Sequence, residues 1–405
     1  MHVFPPRPKL KRSGMEVNML LFIFILFFLL LYRASASEPG LFQEDHFTKD
    51  YELPLRGFFT LVIVYHHLSQ YLTEPGPFLP LQEAGLLCVA IFFFYSGYGV
   101  MKNALAGKSY FHHYFVRRYS KIFVPFYLCN MIYLAVYFFT GERFGLGLSL
   151  KYLLGIRLIN PQSWYIIVIA LFYLVFFLCF HLIRKPSVSL LVLAAFQIAF
   201  PTYCMVRGPG IALFQGDWWF NSSSLFLVGV ILARYEDRIM AISRKSYLFW
   251  LGLSALLFLF LFPASIRVKD QIEALLINEQ IFVKEMLDNW ISFIWQTLAV
   301  ISFTAFVFLL TLKIRFSNRF LIFLGNHSFE LYLIHGLFLE ILRGETVYVA
   351  SDFLYTLLVL SCSLAACWAL HTPFRFLTGI PGRLLLLLDK SCSASGVRSR
   401  RPAEK

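Results

Sequence analysis

Apolar residues form ten long runs after residue 54, and short polar segments separate them. A membrane-spanning helix needs roughly 20 apolar residues, and each run is close to this length. The runs predict ten spans, at residues 55–73, 84–101, 122–140, 163–183, 187–206, 217–233, 247–263, 290–312, 321–342 and 353–374. The longest loop between them, 264–289, is too short for a domain of its own. We predict an all-α fold, a polytopic membrane helix bundle over 55–375, with a preamble at 1–54 and a basic tail at 376–405.

Composition and charge support a membrane protein and set its orientation. Hydrophobic residues make up 59% of the chain, and the mean hydropathy is +0.67, which is typical of membrane proteins. The net charge of +13 arises mainly from the loops on one side of the predicted bundle, which carry 21 Lys and Arg residues against 8 on the other. Basic residues favour the cytoplasmic side, so both ends of the ten-helix set are expected there, in the plasma or inner membrane. Because membrane orientation explains the basic residues, we expect the lipid bilayer as a partner and do not expect nucleic acid.

The preamble contains a shorter apolar run at 19–32, and Ala34-Ser35-Ala36 follows it. A basic start, a short apolar core and an A-x-A exit match a secretory signal peptide. Cleavage after Ala36 would place residue 55 outside and invert the charge sorting. We therefore favour an extra, short N-terminal helix, and a start at Met15 also remains open.

The seven cysteines lie mostly inside apolar runs and show no CxxC spacing. Cysteine often behaves as a small hydrophobic residue, so we expect neither a disulfide framework nor a structural zinc site. No metal site is predicted.

The first span carries the most informative ionisable groups, Arg56 near its start and His66 and His67 near its end. An α-helix turns about 100° and rises about 1.5 Å per residue. Arg56 and His67 therefore share one stripe of the helix, about 16 Å apart, whereas His66 points about 80° away. Ionisable side chains within a span normally face a bundle interior or a wet cavity. We predict that this helix carries the chemistry, with His67 as its working group.

A basic cluster of Arg117, Arg118 and Lys121 lies where the third span begins. Such residues are commonly cytoplasmic anchors. Arginine also binds phosphate through two parallel hydrogen bonds, so the cluster could instead hold the phosphates of a nucleotide-bearing donor.

Further candidates are polar or small residues inside the spans. Ser96 belongs to the small-residue segment YSGYG, which allows close helix packing, and Trp164 fits an interfacial aromatic belt. Ser328 and His335 share one face of the span 321–342 with Tyr332 between them, and form either a polar seam or the edge of a substrate cavity. Glu330 points about 140° from His335, so these two are not expected to pair.

Five motifs occur in a fixed order: RG with a histidine eleven residues after the Arg, FFxxSGY, RRxxKIxxP, SW, and LGxxSxxxYLIH. Together with the ten spans they resemble the acyltransferase 3 family of integral-membrane acyltransferases, over about residues 50–375. That resemblance implies transfer of an acyl group, commonly acetyl, from cytoplasmic acyl-CoA to a hydroxyl of a sugar, glycolipid or surface polysaccharide.

The resemblance also implies roles for residues of this chain. The family's essential arginine and histidine match Arg56 and His67, whereas His66 has no secure counterpart. The donor-binding basic motif matches Arg118 and Lys121, where the family more often has a second arginine, and Arg117 lies beside it. The remaining matches imply contacts with substrate, at Ser96, Trp164, Ser328, Tyr332 and His335.

Two alternative functions remain at the level of sequence. A transporter or a lipid or glycan flippase is also a bundle with a few intramembrane ionisable groups, but such proteins tend to show internal repeats and paired broken helices. A non-catalytic scaffold has no need for an arginine and a histidine three turns apart on one helix face.

Overall fold

The chain is helical almost throughout, as a computed structural model shows for residues 15–44, 47–207, 213–214, 216–275 and 281–398. Residues 1–14 of the preamble and 399–405 of the basic tail lie outside this described part. The helices are α1 (Met15–Leu31), α2 (Lys49–Tyr71), α3 (Ala84–Leu105), α4 (Tyr114–Phe139), α5 (Leu146–Leu153), α6 (Trp164–Phe177), α7 (Pro186–Arg207), α8 (Leu225–Arg234), α9 (Glu236–Lys245), α10 (Tyr247–Leu275), α11 (Ile281–Thr311), α12 (Arg319–Asn326), α13 (Ser328–Ile341) and α14 (Asp352–Arg398).

The all-α polytopic membrane architecture is confirmed. Within the described residues, seven helical stretches are long and apolar enough to cross a membrane. They are Gly76–Leu105, Tyr114–Phe139, Pro161–Leu182, Pro186–Arg207, Tyr247–Val268, Leu287–Thr311 and Asp352–Leu384. The predicted number of ten spans is not established by this count, because α1 and α8 are shorter apolar helices and the charged α2 falls outside it.

The predicted span 217–233 is helical mainly in its second half, where α8 begins at Leu225. The polar run Asn221-Ser222-Ser223-Ser224 precedes the helix. Serine and asparagine side chains bond to nearby backbone and so favour turns, and the Ser223 hydroxyl donates to the Phe220 carbonyl at 2.7 Å. The prediction of one continuous span at this place is therefore wrong.

The predicted span 321–342 is also interrupted, because α12 ends at Asn326 and α13 begins at Ser328. Glycine and asparagine are weak helix formers, and Gly325 and Asn326 precede the break. At the junction, His327 Nδ1 lies 2.8 Å from the Phe323 carbonyl oxygen. The break places the N-terminus of α13 inside the bundle.

The loop predicted at 264–289 is mostly helix, since α10 continues to Leu275 and α11 begins at Ile281. Helix α14 likewise continues through Arg398, well past the predicted span end at 374. Hydropathy locates the membrane-embedded part of a helix rather than its ends, which explains both differences.

Helix α2 lies at the centre of the bundle, and most residues from Tyr51 to Ser69 are buried. It packs against α3, α12 and α13, while α3 packs against α8 and α13 against α14. At the α2–α12 crossing, a Cβ on Gly57 would lie 2.1 Å from the Leu321 carbonyl oxygen, and one on Gly325 would lie 2.0 Å from that of Leu53. The two backbones are in direct contact, so α12 fixes the position of α2.

The packing interpretation of the YSGYG segment is supported in the same way. A Cβ on Gly97 of α3 would lie 2.0 Å from the Phe226 carbonyl oxygen, and one on Gly229 of α8 would lie 2.0 Å from that of Phe94. These glycines allow α3 and α8 to pack at backbone distance.

The run 19–32 forms α1, as the extra-helix prediction requires. Met19, Phe22 and Leu26 are buried against the bundle. After α1, the two-residue strand β1 (Ser35–Ala36) pairs antiparallel with β2 (Ile314–Arg315). The A-x-A segment therefore lies beside the connection between α11 and α12.

Candidate active site

Helix α2 contributes one wall of a cavity of about 800 Å³. Glu52, Arg56, Thr60 and Ile63 line it, at the three- and four-residue spacing of one helix face. The predicted stripe from Arg56 to His67 thus follows the cavity wall. The cavity lining on α2 ends at Ile63, about one turn before His67.

The cavity is predominantly cationic. Among its lining residues two are acidic, Glu52 and Glu330, and six are Lys or Arg, namely Lys49, Arg56, Arg117, Arg118, Lys121 and Arg375. The N-terminus of α13 at Ser328 also faces it, and helix N-termini favour negative charge. The arrangement suits an anionic ligand.

The predicted basic cluster lines the cavity, but its members differ in how they are held. Arg118 donates from Nε to the Tyr110 hydroxyl at 2.8 Å and lies over the rings of Tyr110 and Tyr173. Burial raises the pKa of the Tyr110 phenol even though Arg118 acts in the opposite direction, so the hydroxyl stays neutral and accepts. Arg117 and Lys121 are exposed toward the opening. The side chain of Arg118 is therefore fixed in position, whereas those of Arg117 and Lys121 are free to change direction.

Arg56 connects α2 to the broken span. Its Nη2 donates to the Ser328 hydroxyl at 3.4 Å, which brings together two residues predicted as site residues. Glu52 lies one helical turn before Arg56 and also lines the cavity. Arg56 thus links α2 to the start of α13, one helical turn from Glu52.

His67 and His335 lie in contact about one helical turn beyond the last cavity-lining residues of α2 and α13. His67 Nδ1 lies 2.9 Å from His335 Nε2, and their ring centroids are 5.0 Å apart. His335 Nδ1 lies 3.1 Å from the Leu331 carbonyl oxygen one turn earlier in α13. His335 is fully buried, whereas His67 is half-buried. Neither ring lines the cavity, whose last lining residue on α13 is Tyr332.

His66 faces another part of the molecule. Its Nδ1 donates to the Leu81 carbonyl at 3.1 Å, and its Nε2 lies 3.1 Å from the Gln70 amide nitrogen. A Cβ on Gly85 would meet its ring. These contacts attach the end of α2 to the 3-10 helix Gly76–Glu83, and the histidine pair does not involve His66.

The other predicted substrate contacts divide into two groups. Ser96 and Tyr332 line the cavity; Ser96 is 3.1 Å from the Tyr165 hydroxyl, and the Tyr332 hydroxyl donates to the Gln162 carbonyl. Trp164 does not line the cavity and packs in the core against Phe93 and Trp219. Its neighbour Tyr165 faces the cavity instead, because successive residues of a helix point about 100° apart.

The cavity wall also contains an acid–imidazole pair that no sequence motif indicated. His371 Nδ1 of α14 lies 3.0 Å from Glu330 Oε1, and both residues line the cavity. Glu330 does not pair with His335, as the helix geometry predicted. Its partner is 41 residues away and carries no recognisable motif, so spacing could not reveal it.

The described residues contain no group of three or more His, Cys, Asp or Glu side chains that could hold a metal ion. The cavity lining itself supplies Lys and Arg cations, Ser, Thr and Tyr hydroxyls and the His371 imidazole. These groups can bind an anionic donor, polarise a carbonyl and accept a proton.

Comparison with known proteins identifies the family. The family model described as an acyltransferase domain matches residues 55–372, which include most of α2 and most of the residues that line the cavity. No curated protein matches the chain, and no solved structure matches it. Because the match covers well over half of the sequence, this chain belongs to the acyltransferase 3 family of membrane acyltransferases.

Proposed function

We propose that the protein transfers an acyl group, in the first place acetyl, from acyl-CoA to a hydroxyl of a sugar, glycolipid or surface polysaccharide. The observation that carries this proposal is a cationic cavity whose α2 wall continues to the His67–His335 pair. Family membership supplies the reaction class, and the charges suit a phosphate-bearing donor.

The donor phosphates would be held at the opening of the cavity. Arg118 is stacked on tyrosines and presents a guanidinium fixed in direction, while Arg117 and Lys121 can adjust. Guanidinium groups match phosphate geometry through paired hydrogen bonds. The excess of Lys and Arg in the predicted cytoplasmic loops supports entry of the donor from the cytoplasm and a cell-membrane location with both bundle ends cytoplasmic.

The acyl group would then react near the inner end of the cavity. A sugar hydroxyl is a weak nucleophile, so transfer requires a base, and the thioester oxygen gains negative charge during attack. His67 suits the base, since a neutral imidazole accepts a proton near pH 7. Arg56 suits the orientation of the donor or stabilisation of the oxyanion. Ile63 and Tyr332 are the last residues of α2 and α13 that line the cavity, so the acyl group must reach past them to meet the histidines.

The proposal is tested in inside-out membrane vesicles that receive radiolabelled acetyl-CoA. Wild-type protein should transfer label to lipid- or glycan-bound material. His67→Ala should lower the rate by about 10²–10⁴-fold, the usual effect of losing a catalytic base, at unchanged protein level. His181→Gln is the matched control, because His181 is exposed at the end of the α6 region and does not line the cavity. It should behave as wild type.

Two results would contradict the proposal. Full activity of His67→Ala would remove this residue from the reaction. Absence of labelled product with wild type, repeated with longer acyl-CoAs and added glycolipid extract, would favour the transporter or flippase alternative.

A further inference from the structure

The hydrogen bonds around His335 define which nitrogen of each ring carries a proton. His335 Nδ1 faces the Leu331 carbonyl oxygen at 3.1 Å. A carbonyl oxygen only accepts hydrogen bonds, so His335 Nδ1 must carry a proton and donate it. The remaining question is whether His335 Nε2 carries a second proton.

His335 has no exposed surface, and its polar contacts in the described residues are the backbone carbonyls of Leu331 and Tyr332 and the His67 ring. Burying an imidazolium without an acidic partner is costly, so the ring is neutral and its Nε2 is bare. The 2.9 Å contact then requires that His67 Nδ1 donates to His335 Nε2. In a neutral His67 ring this leaves the basic lone pair on Nε2.

We infer that His335 is a positioning residue that holds His67 in the Nδ1-protonated tautomer, so that His67 Nε2 is the atom that takes the proton from the acceptor hydroxyl. This inference rests on the proposed function and assigns its base to one atom. The difference in burial fits the two roles, because His67 keeps some exposed surface while His335 has none.

The orienting ring is itself fixed by the fold. The Asn160 amide donates to the Leu333 carbonyl of α13 at 2.9 Å, and the buried Tyr133 hydroxyl donates to the same oxygen at 3.3 Å. These two bonds hold α13 against α4 and the turn before α6, and α13 also packs against α2. His335 therefore faces His67 without needing the substrate to arrange it.

The transfer step balances with these groups alone. The acceptor O–H proton moves to His67 Nε2 as the oxygen attacks the thioester carbonyl carbon and forms the new C–O bond. The C–S bond then breaks, and the departing CoA sulfur takes the proton from His67 Nε2. His335 remains neutral throughout and stabilises the transient His67 imidazolium by accepting from its Nδ1–H.

Two substitutions separate the hydrogen bond from the bulk of the ring. His335→Gln offers an amide oxygen that can accept from His67 Nδ1, and His335→Leu fills similar volume without an acceptor. We expect His335→Leu to lower kcat about 10–100-fold, the usual effect of removing an orienting partner, with an unchanged KM for acetyl-CoA. We expect His335→Gln to retain most of kcat. Melting temperature in detergent shows whether each variant is folded.

A second readout does not depend on activity. Protein labelled with ¹⁵N-histidine and reconstituted in lipid reports by nuclear magnetic resonance which ring nitrogens carry protons, and the His67 signals are assigned as those missing from His67→Ala. Wild type should show His67 protonated at Nδ1 and bare at Nε2. His335→Leu should show a mixture of the two tautomers, and His335→Gln should resemble wild type.

Three results would overturn the inference: wild-type kcat in folded His335→Leu, equal loss of activity in folded His335→Gln and His335→Leu, or a wild-type His67 protonated at Nε2. Failure of the proposed function appears differently. In that case wild-type membranes transfer no label from any acyl-CoA, while the resonance experiment still reports whether the tautomer is the one inferred.

Discussion

At the scale of single residues, the arginines of the basic cluster perform different tasks. Arg118 is half-buried, donates to the Tyr110 hydroxyl and the Gly99 carbonyl, and stacks on two tyrosine rings. Arg117 is exposed. A lysine in place of Arg118 keeps the charge but loses the planar fork that makes these contacts together.

We therefore predict that Arg118→Lys destabilises the protein by about 1.5–3 kcal/mol, the range for lost hydrogen bonds to a charged group. The lower stability should appear as a reduced melting temperature in detergent. Arg117→Lys, the matched control at the preceding position, should melt at the same temperature as wild type. Equal melting temperatures for the two variants would show that the tyrosine contacts of Arg118 add nothing to stability.

The relations between candidate site residues that could be predicted from sequence were those within a single helix. The shared stripe of Arg56 and His67 and the separation of Glu330 from His335 both depend on a constant 100° turn per residue. The His67–His335 contact and the Glu330–His371 pair join different helices. Tertiary packing decides such contacts, and one sequence carries no measure of it. Trp164 illustrates the limit, because its side chain packs in the core while the neighbouring Tyr165 lines the cavity.

At the scale of elements, hydropathy located the long helices and missed the places where polar residues interrupt them. The breaks before α8 and between α12 and α13 fall at Asn221–Ser224 and at His327. In the second case the break creates the part of the cavity wall that contacts Arg56. Irregular backbone at membrane depth is tolerated where it lines a cavity, so this departure from the predicted span coincides with the candidate site.

Helix α14 extends the cavity wall beyond the part of the chain that the family model matches. Phe374, Arg375, Thr378, Gly379 and Gly382 line the cavity, whereas the match ends at residue 372. This end of the helix therefore contributes its own contacts to whatever ligand the cavity holds.

We predict that Arg375→Gln raises the KM for acetyl-CoA several-fold with little change in kcat, because the lost charge assists binding equally before and during reaction. Added salt should raise the wild-type KM and reduce the difference between the two proteins, since salt screens exposed charges. Arg383→Gln is the control: Arg383 lies two turns later on α14, over the Phe376 ring, and does not line the cavity. If both variants show the same KM, Arg375 has no role in donor binding.

At the scale of the whole molecule, α1 packs against the bundle. The contacts at its two ends indicate its direction relative to the predicted sides of the membrane. Phe22 contacts Phe78 and Phe353, near the connections that are predicted to lie outside. At the opposite end of α1, the Ser317 hydroxyl donates to the Arg33 carbonyl, and β1 pairs with β2. Helix α1 thus runs from the predicted outer side to the side of the basic loops.

This arrangement leads to a prediction about the A-x-A segment. Signal peptides are cleaved on the outer side of the membrane, whereas Ala34–Ala36 lies beside β2 in the basic loop 313–320, which is expected to be cytoplasmic. We expect α1 to remain attached, so the purified protein should retain residues 15–36 in its intact mass. Ala36→Arg, which removes the small residue that a peptidase needs, should leave that mass unchanged apart from the substitution. A shorter wild-type chain whose full length is restored by Ala36→Arg would show that the segment is cleaved, and would reverse the orientation argued for the whole bundle, because α2 would then begin on the outer side.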